Sequence, residues 1–288
     1  MSQPATLLVG FDSAWTRTNS GALVGVLRSD NGTFSELGSP RRVNYCEAQD
    51  LILKWQAEQV PTSTIILLDQ PTIVENLTGQ RLVEKIVCPT VSRRKGGMQP
   101  ANTSREEMFG SDAPIWPFLK RFGGPANPLE EPVGGTHVIE TYPVLTLIAL
   151  GWTLPDEGPD KRPKGRLPKY NPDRRKTFLL SDWQHVCRLA SCAFNERGLR
   201  EIARWVDDAE KTSPRKCDQD KLDACLCLLV ALYLAERRDC LMVGNRQSGY
   251  IVVPDCAELR EELDARCNQI DPVPSECVTE FCWKPPTS

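Results

Sequence analysis

Two apolar runs along the chain each stop on an acid. Thr6 to Trp15 reads T-L-L-V-G-F-D-S-A-W, in which Leu7, Leu8, Val9 and Phe11 lead up to Asp12. Thr64 to Asp69 reads T-I-I-L-L-D and runs on into Gln70-Pro71. A short unbroken apolar run predicts a strand buried on both faces, as in a sheet covered by helices. An acid at the end of such a strand belongs at a cleft; the plainer alternative is a turn residue capping a loop. Gly10 and Ser13 leave little bulk around Asp12, so that a ligand can approach the backbone there.

The pattern between and after these runs predicts the remaining elements. Gly21 to Arg28 (G-A-L-V-G-V-L-R) reads as a second strand, and a third lies between Phe34 and Tyr45. The turn Ser29-Asp30-Asn31-Gly32 makes the two an antiparallel hairpin. Glu47 to Gln59 places Leu51, Ile52 and Trp55 near a 3.6-residue period and predicts an amphipathic helix. Thr136 to Glu140 predicts another strand ending on an acid, followed by a helix from Pro143 to Leu150. Helices are predicted at about Asp173–Glu196 and at Leu199–Glu210. Asp218 to Arg238 is apolar nearly all round after Asp223, which marks a buried helix. Gly249 to Pro254 reads as a last strand and Ala257 to Cys267 as a surface helix, with a Pro-rich tail behind.

These elements divide the chain into a core of residues 1–71 and 136–254, an insertion 72–135 and a C-terminal helix and tail 255–288. The insertion is rich in Gly, Pro, Arg, Lys and Ser, with helical signals only at Leu77–Val87, Ser104–Phe109 and Ile115–Phe122. It is expected to lie over one end of the sheet as a lid.

Composition narrows the function classes. With 288 residues and 40% apolar content the chain can bury one large core. A net charge of −3 leaves no global basic signature, so any nucleic-acid binding must come from local patches. No apolar run is long enough to span a membrane, which takes about 18 residues. The start M-S-Q-P-A-T has neither the basic start nor the apolar stretch of a secretory leader, and the twelve cysteines are therefore expected to be reduced thiols in a cytoplasmic protein. There is no Cys-x-x-Cys, and the histidines are His137 and His185 alone. A zinc site built from Cys256, Cys267, Cys277 and Cys282 is a minor alternative. Hydrolysis by a Ser-His-Asp or Cys-His arrangement is disfavoured, since no Gly-x-Ser-x-Gly elbow is present.

The acids carry the chemistry. Asp220 and Asp223 are three apart and share one face of the buried helix, whereas Asp218 points away into its first turn. Burying carboxylates costs several kcal/mol each unless they are paired or hold a metal. All-oxygen ligation without nearby histidine or cysteine suits Mg²⁺ or Mn²⁺. Two such ions about 4 Å apart can clamp a phosphodiester during hydrolysis.

The segments G-F-D-S-A-W (10–15), L-L-D-Q-P (67–71), E-T-Y-P (140–143), D-K-L-D-A (220–224) and G-Y-I-V-V-P (249–254) occur in order over most of the chain. In these the chain resembles the RNase H-like superfamily and, within it, the family of RNase H-like nucleases long filed as a domain of unknown function. The resemblance implies an α/β fold with a mixed five-stranded sheet of order 3-2-1-4-5, flanked by helices and carrying the long insertion after strand four. It implies Asp12 as the central acid touching both metals, Asp69 as the strand-four acid, and Asp220 with Asp223 as the helix acids. Glu140 matches a motif of the narrower family and is placed as an extra ligand or as the orienter of a basic residue. Two departures stand out: no equivalent of the first-helix acid is evident, and small enzymes of the superfamily lack this insertion.

Two loops are strongly basic. Arg81 to Arg105 includes Arg93, Arg94 and Lys95, and Lys161 to Lys176 includes Lys164, Arg166, Lys169, Arg174, Arg175 and Lys176. Beside an acidic metal site they would give nucleic acid a phosphate track, with Trp15, Tyr142 and Tyr170 available to stack on bases. The plainer alternative is a solvated surface. The expected function is a Mg²⁺- or Mn²⁺-dependent nuclease using two metal ions. The alternatives are a non-catalytic nucleic-acid-binding or regulatory protein on the same fold and, less favoured, an ATP-using enzyme of the actin/sugar-kinase type. The latter lacks its phosphate loops here, because Gln-Pro-Thr follows Asp69.

Overall fold

β1 (Thr6–Asp12) occupies the middle of the main sheet, paired antiparallel with β2 (Gly21–Arg28) and parallel with β5 (Ser63–Asp69). The structure is a computed structural model and describes residues 5–155, 165–274 and 277–283. β6 (Gly135–Glu140) adds parallel to β5. The third strand expected between Phe34 and Tyr45 is two short ones, β3 (Phe34–Glu36) and β4 (Arg41–Val43), which pair with opposite ends of β2. Gly38 at φ 106° and Pro40, which cannot donate to a ladder, separate them. The sheet therefore has six strands in the order β3-β2-β1-β5-β6, with β4 sharing the edge of β2.

Period-two alternation gives this sheet a core on each face. One face carries Leu7, Val9, Phe11, Ile66 and Leu68 against α1 (Tyr45–Gln59) and α4 (Ile115–Arg121). The other carries Leu8, Val24, Ile65, Leu67 and Ile139 and is covered by α8 (Lys216–Ala235). α2 (Leu82–Arg93), α5 (Pro143–Ala149), α6 (Leu180–Asn195) and α7 (Arg200–Glu210) complete that layer. Residues of the insertion thus enter both cores, through α2 on one side and α4 on the other. The short α3 (Glu106–Phe109) lies between them in sequence.

Gly10 sets how close α8 comes. A β-carbon there would run into the backbone of Ala224 and Leu228, so the helix rests on β1 at the one position without a side chain. This contact brings the first two turns of α8 alongside the end of β1.

The C-terminal part holds elements the hydrophobic pattern did not predict. β7 (Cys240–Asn245) forms a hairpin with β8 (Gly249–Pro254), and β9 (Val278–Phe281) pairs on the far side of β7. α9 (Ala257–Cys267) spans the predicted residues. Cys267 and Cys277 form a disulfide with Cα atoms 6.4 Å apart, which corrects the expectation of reduced thiols for this pair; the other cysteines are free. The pairing also draws these two away from a four-cysteine zinc site, and the Cys282 thiol donates instead to the Arg237 carbonyl. Among the described residues no helix is long and apolar enough to cross a membrane.

Candidate metal centre

Asp12 and Asp69 are direct partners in the parallel register of β1 and β5. Neighbouring strands are about 4.8 Å apart, and partners in a parallel pair project to the same face. Both acids therefore end their strands on the face that α8 covers. α8 begins at Lys216, and its Asp218 turns back to accept from the Arg215 N–H at 2.9 Å, a capping contact that keeps this acid out of the cluster. One turn on, Asp220 and Asp223 are buried on the helix face toward Asp12.

The four carboxylates act on one another. Burial, then Asp69, Asp223 and Asp220, holds the Asp12 carboxyl well above its ordinary range. Asp69 is raised in the same way by burial and by Asp223, Glu140 and Asp220. Burial also raises Asp220. Asp223 is pushed up to about 6 by burial and by Asp220, against the opposing pull of Lys216, Tyr170 and Gln219. Lys216 offsets part of the negative charge at all four positions.

Internal donors occupy the helix acids. Lys216 Nζ donates to Asp220 Oδ1, and Gln219 Nε2 to Asp223 Oδ2. Tyr170 Oη donates to Asp223 Oδ1 at 2.7 Å. With these donors in place, no three His, Cys, Asp or Glu side chains among the described residues surround a single point at ligand distance. The donor set nevertheless fits a hard divalent ion, being all oxygen and in excess over the Lys216 ammonium that reaches it. Asp12, Asp69, Asp220 and Asp223 would hold it, while Tyr170 and Gln219 orient Asp223 as outer partners.

Glu140 serves a different role. Its two oxygens receive Arg81 Nη1 and Nη2 at 3.0 and 2.7 Å, and Oε2 also accepts the Thr72 N–H at 2.8 Å. Arg81 Nε reaches Glu84 at 2.8 Å. Of the two roles expected for Glu140, these contacts match the orienter of a basic residue. They also pin the turn that follows Asp69. On the other side of that turn, the hydroxyls of Ser13 and Tyr45 both donate to Gln70 Oε1.

The expected phosphate track divides. Arg94 is corrected out of it: it is 6% exposed, and its guanidinium grips Glu262 at 3.1 and 2.9 Å, fastening α9 to α2. Arg93 pairs with the same carboxylate but keeps an exposed side. Arg166 is likewise engaged by the buried Asp182, at 3.0 Å through Nη2, and ties the loop to the start of α6. Lys164 lies outside the described residues. Lys95, Arg174, Arg175 and Lys176 are exposed, and Lys169 is half-buried with Nζ on the Lys95 carbonyl. Burial together with Arg166, Lys95 and Arg174 pulls the Lys169 ammonium below its ordinary value, so these cations stand close together. Tyr170 anchors the same loop in the acid cluster. That anchoring explains why the helix expected from Asp173 starts only at Leu180.

The aromatic residues singled out for stacking are engaged. Tyr170 is buried on Asp223, and the Tyr142 hydroxyl donates to the Gly97 carbonyl at 2.7 Å. Trp15, at φ 58°, packs edge-on against Phe109 at 5.9 Å. A cleft of about 890 Å³ opens beside it, between the loop leaving β1 and the insertion, and is lined by Thr16, Arg17, Glu106, Phe109 and Trp116 among others. Sequence reasoning did not single out Lys216 or Gln219, and it counted Arg81 among the cations of the basic loop, whereas Arg81 is buried against Glu84 and Glu140 and leaves that track. For Lys216 the signal was present, since it lies four residues before Asp220 and seven before Asp223.

No curated protein matches the chain. A family model described as "Protein of unknown function (DUF429)" matches residues 10–247, a span that runs from Gly10 beside Asp12 through all of α8 and β7. The chain belongs to this family.

Proposed function

We propose that the protein is an RNase H-like nuclease that hydrolyses phosphodiester bonds with Mg²⁺ or Mn²⁺ held by Asp12, Asp69, Asp220 and Asp223. The observation that carries this reading is the convergence of these carboxylates from two strand ends and one helix, where Asp69, Asp220 and Asp223 raise Asp12, Asp220 and Asp223 raise Asp69, and the Lys216 ammonium opposes the charge at all four. The strand order, with β1 central and α8 crossing it, supports the RNase H-like assignment. Bound at such a site, a pair of divalent ions supplies Lewis-acid charge stabilisation and water activation. The chain's own part is to hold the acids rigidly. The β1–β5 register sets Asp12 beside Asp69, Tyr170 and Gln219 orient Asp223, and Glu140 with Arg81 fixes the turn after Asp69. Lys95, Lys169, Arg174, Arg175 and Lys176 would receive the phosphates, a reading supported by the exposure of four of them and by the closeness of Lys95 and Arg174 to Lys169.

The test is a cleavage panel of single- and double-stranded DNA, single-stranded RNA, RNA–DNA hybrid and branched DNA, with Mg²⁺, Mn²⁺ or EDTA. Cleavage of at least one polymer that stops in EDTA is expected. A non-catalytic binding role is the second reading, favoured by the internal donors already on Asp220 and Asp223. Binding without cleavage under every condition would decide for it.

Replacing Arg174, Arg175 and Lys176 by alanine is expected to weaken binding across sequences. It should also lower the slope of log affinity against log salt by up to about 3, one for each phosphate that is no longer neutralised. Fluorescence anisotropy at several salt concentrations measures it. An unchanged slope would return these side chains to a solvated surface.

A further inference from the structure

Among the described residues, the buried acids outside the cluster are paired with arginine. Glu140 and Glu84 share Arg81, Glu262 is gripped by Arg94, and Asp182 by Arg166. Guanidinium forks of this kind are rigid, directional and permanently charged, and they serve as struts. The acid cluster under α8 is different, because its cation is a lysine.

Lys216 opens α8 at the spacing that places it over Asp220 and Asp223 on one helical face. Its Nζ donates to Asp220 Oδ1 and to Gln219 Oε1, the latter at 2.8 Å, and the Gln219 amide passes the contact on to Asp223. Its charge acts on all four carboxylates. Yet its side chain is 45% exposed, against 10% for its partner Asp220. A point charge on a flexible four-carbon stem, with solvent on one side, can leave without disturbing the core.

We propose that Lys216 is a built-in competitor for the divalent ion: its ammonium neutralises the site while no ion is bound and must leave Asp220 for an ion to enter. The proposal rests on the metal reading above and deepens it. An ammonium on Asp220 claims a ligand oxygen and repels a dication at the same time, so ion affinity is set below what the four carboxylates alone would provide. It also accounts for carboxylates that converge without being arranged as a finished ligand shell.

The experiment is a Mn²⁺ titration of the EDTA-stripped, desalted full chain at low ionic strength, followed by electron paramagnetic resonance of free Mn²⁺. Wild type, Lys216→Met, Lys216→Arg and Asp12→Asn are compared, with folding checked by circular dichroism. Lys216→Met is expected to bind Mn²⁺ about tenfold or more tightly than wild type, because a unit charge a few ångströms away has been removed. Lys216→Arg, which keeps the charge, is expected to bind no more tightly than wild type. Should the methionine variant fail to fold, Lys216→Gln takes its place. Binding by wild type that Asp12→Asn abolishes but Lys216→Met leaves unchanged or weakens would overturn the competition and leave the metal reading standing. Absence of binding by wild type and Lys216→Met alike would overturn both.

Discussion

Asp12→Asn is expected to lower Mg²⁺- or Mn²⁺-dependent cleavage by at least about 10³-fold, the several kcal/mol that metal stabilisation contributes. In EDTA the same variant is expected to melt no lower than wild type. Asparagine keeps the shape of the side chain and removes the charge that burial and three neighbouring carboxylates oppose most. The pH dependence follows from the direction of the shifts. Asp12, Asp69, Asp220 and Asp223 are all raised in the folded chain, so their favourable contribution is full below the unfolded carboxylate value of about 4. It is lost as pH rises through the folded values, which for Asp223 is about 6. The melting temperature of Asp12→Asn minus that of wild type should therefore grow between about pH 4 and 7 in EDTA, and shrink when Mn²⁺ is added. Calorimetry across that range measures it. A variant that cuts at the wild-type rate would remove Asp12 from the chemistry, and a pH-independent difference would mean that neither burial nor the neighbouring acids raise the Asp12 carboxyl.

Arg81→Met is expected to destabilise the fold by about 3–5 kcal/mol, as removing one partner of a buried ion pair does. The Arg81 side chain is 1% exposed and bonded to both Glu84 and Glu140, so its removal strands two buried carboxylates. It also donates to the Ile73 carbonyl, which would be left without that donor. Urea denaturation gives the change from the shift in midpoint. The triple variant Arg81→Met, Glu84→Gln, Glu140→Gln should recover much of the stability, because the charges then go together. A change under about 1 kcal/mol for the single variant would contradict the burial of this network. Since Glu140 also accepts the Thr72 N–H, the loosened turn after Asp69 should lower activity further than stability alone explains.

Much of the main sheet was readable because a strand buried on both faces has few reasons to end in a carboxylate. The ranges of β1, β2, β5 and β8 follow the apolar runs closely. Gly38 and Pro40 already carried the signal that the third strand is two, and the hairpin reading passed over it. β7 was missed because C-L-M-V-G-N follows directly on a long apolar helix, and β9 because its four residues sit in a Pro-rich tail. The apolar pattern marks what is buried; it does not mark what a short strand pairs with.

For the site, the spacing of Asp220 and Asp223 and the strand-end positions of Asp12 and Asp69 were determined by the sequence itself, through local periodicity and the length of the buried runs. The partners of charged side chains were decided only by the tertiary structure. Arg94 meets a glutamate 168 residues away, and Tyr170 an aspartate 53 residues away. Such pairings depend on which surfaces the packed core brings into contact, and residue order carries no local trace of them. That is why a basic loop read as a phosphate track proved to be part strut and part exposed charge, whereas the pairing of Lys216 with Asp220, four residues apart on one helix, is local and was already present in the residue order.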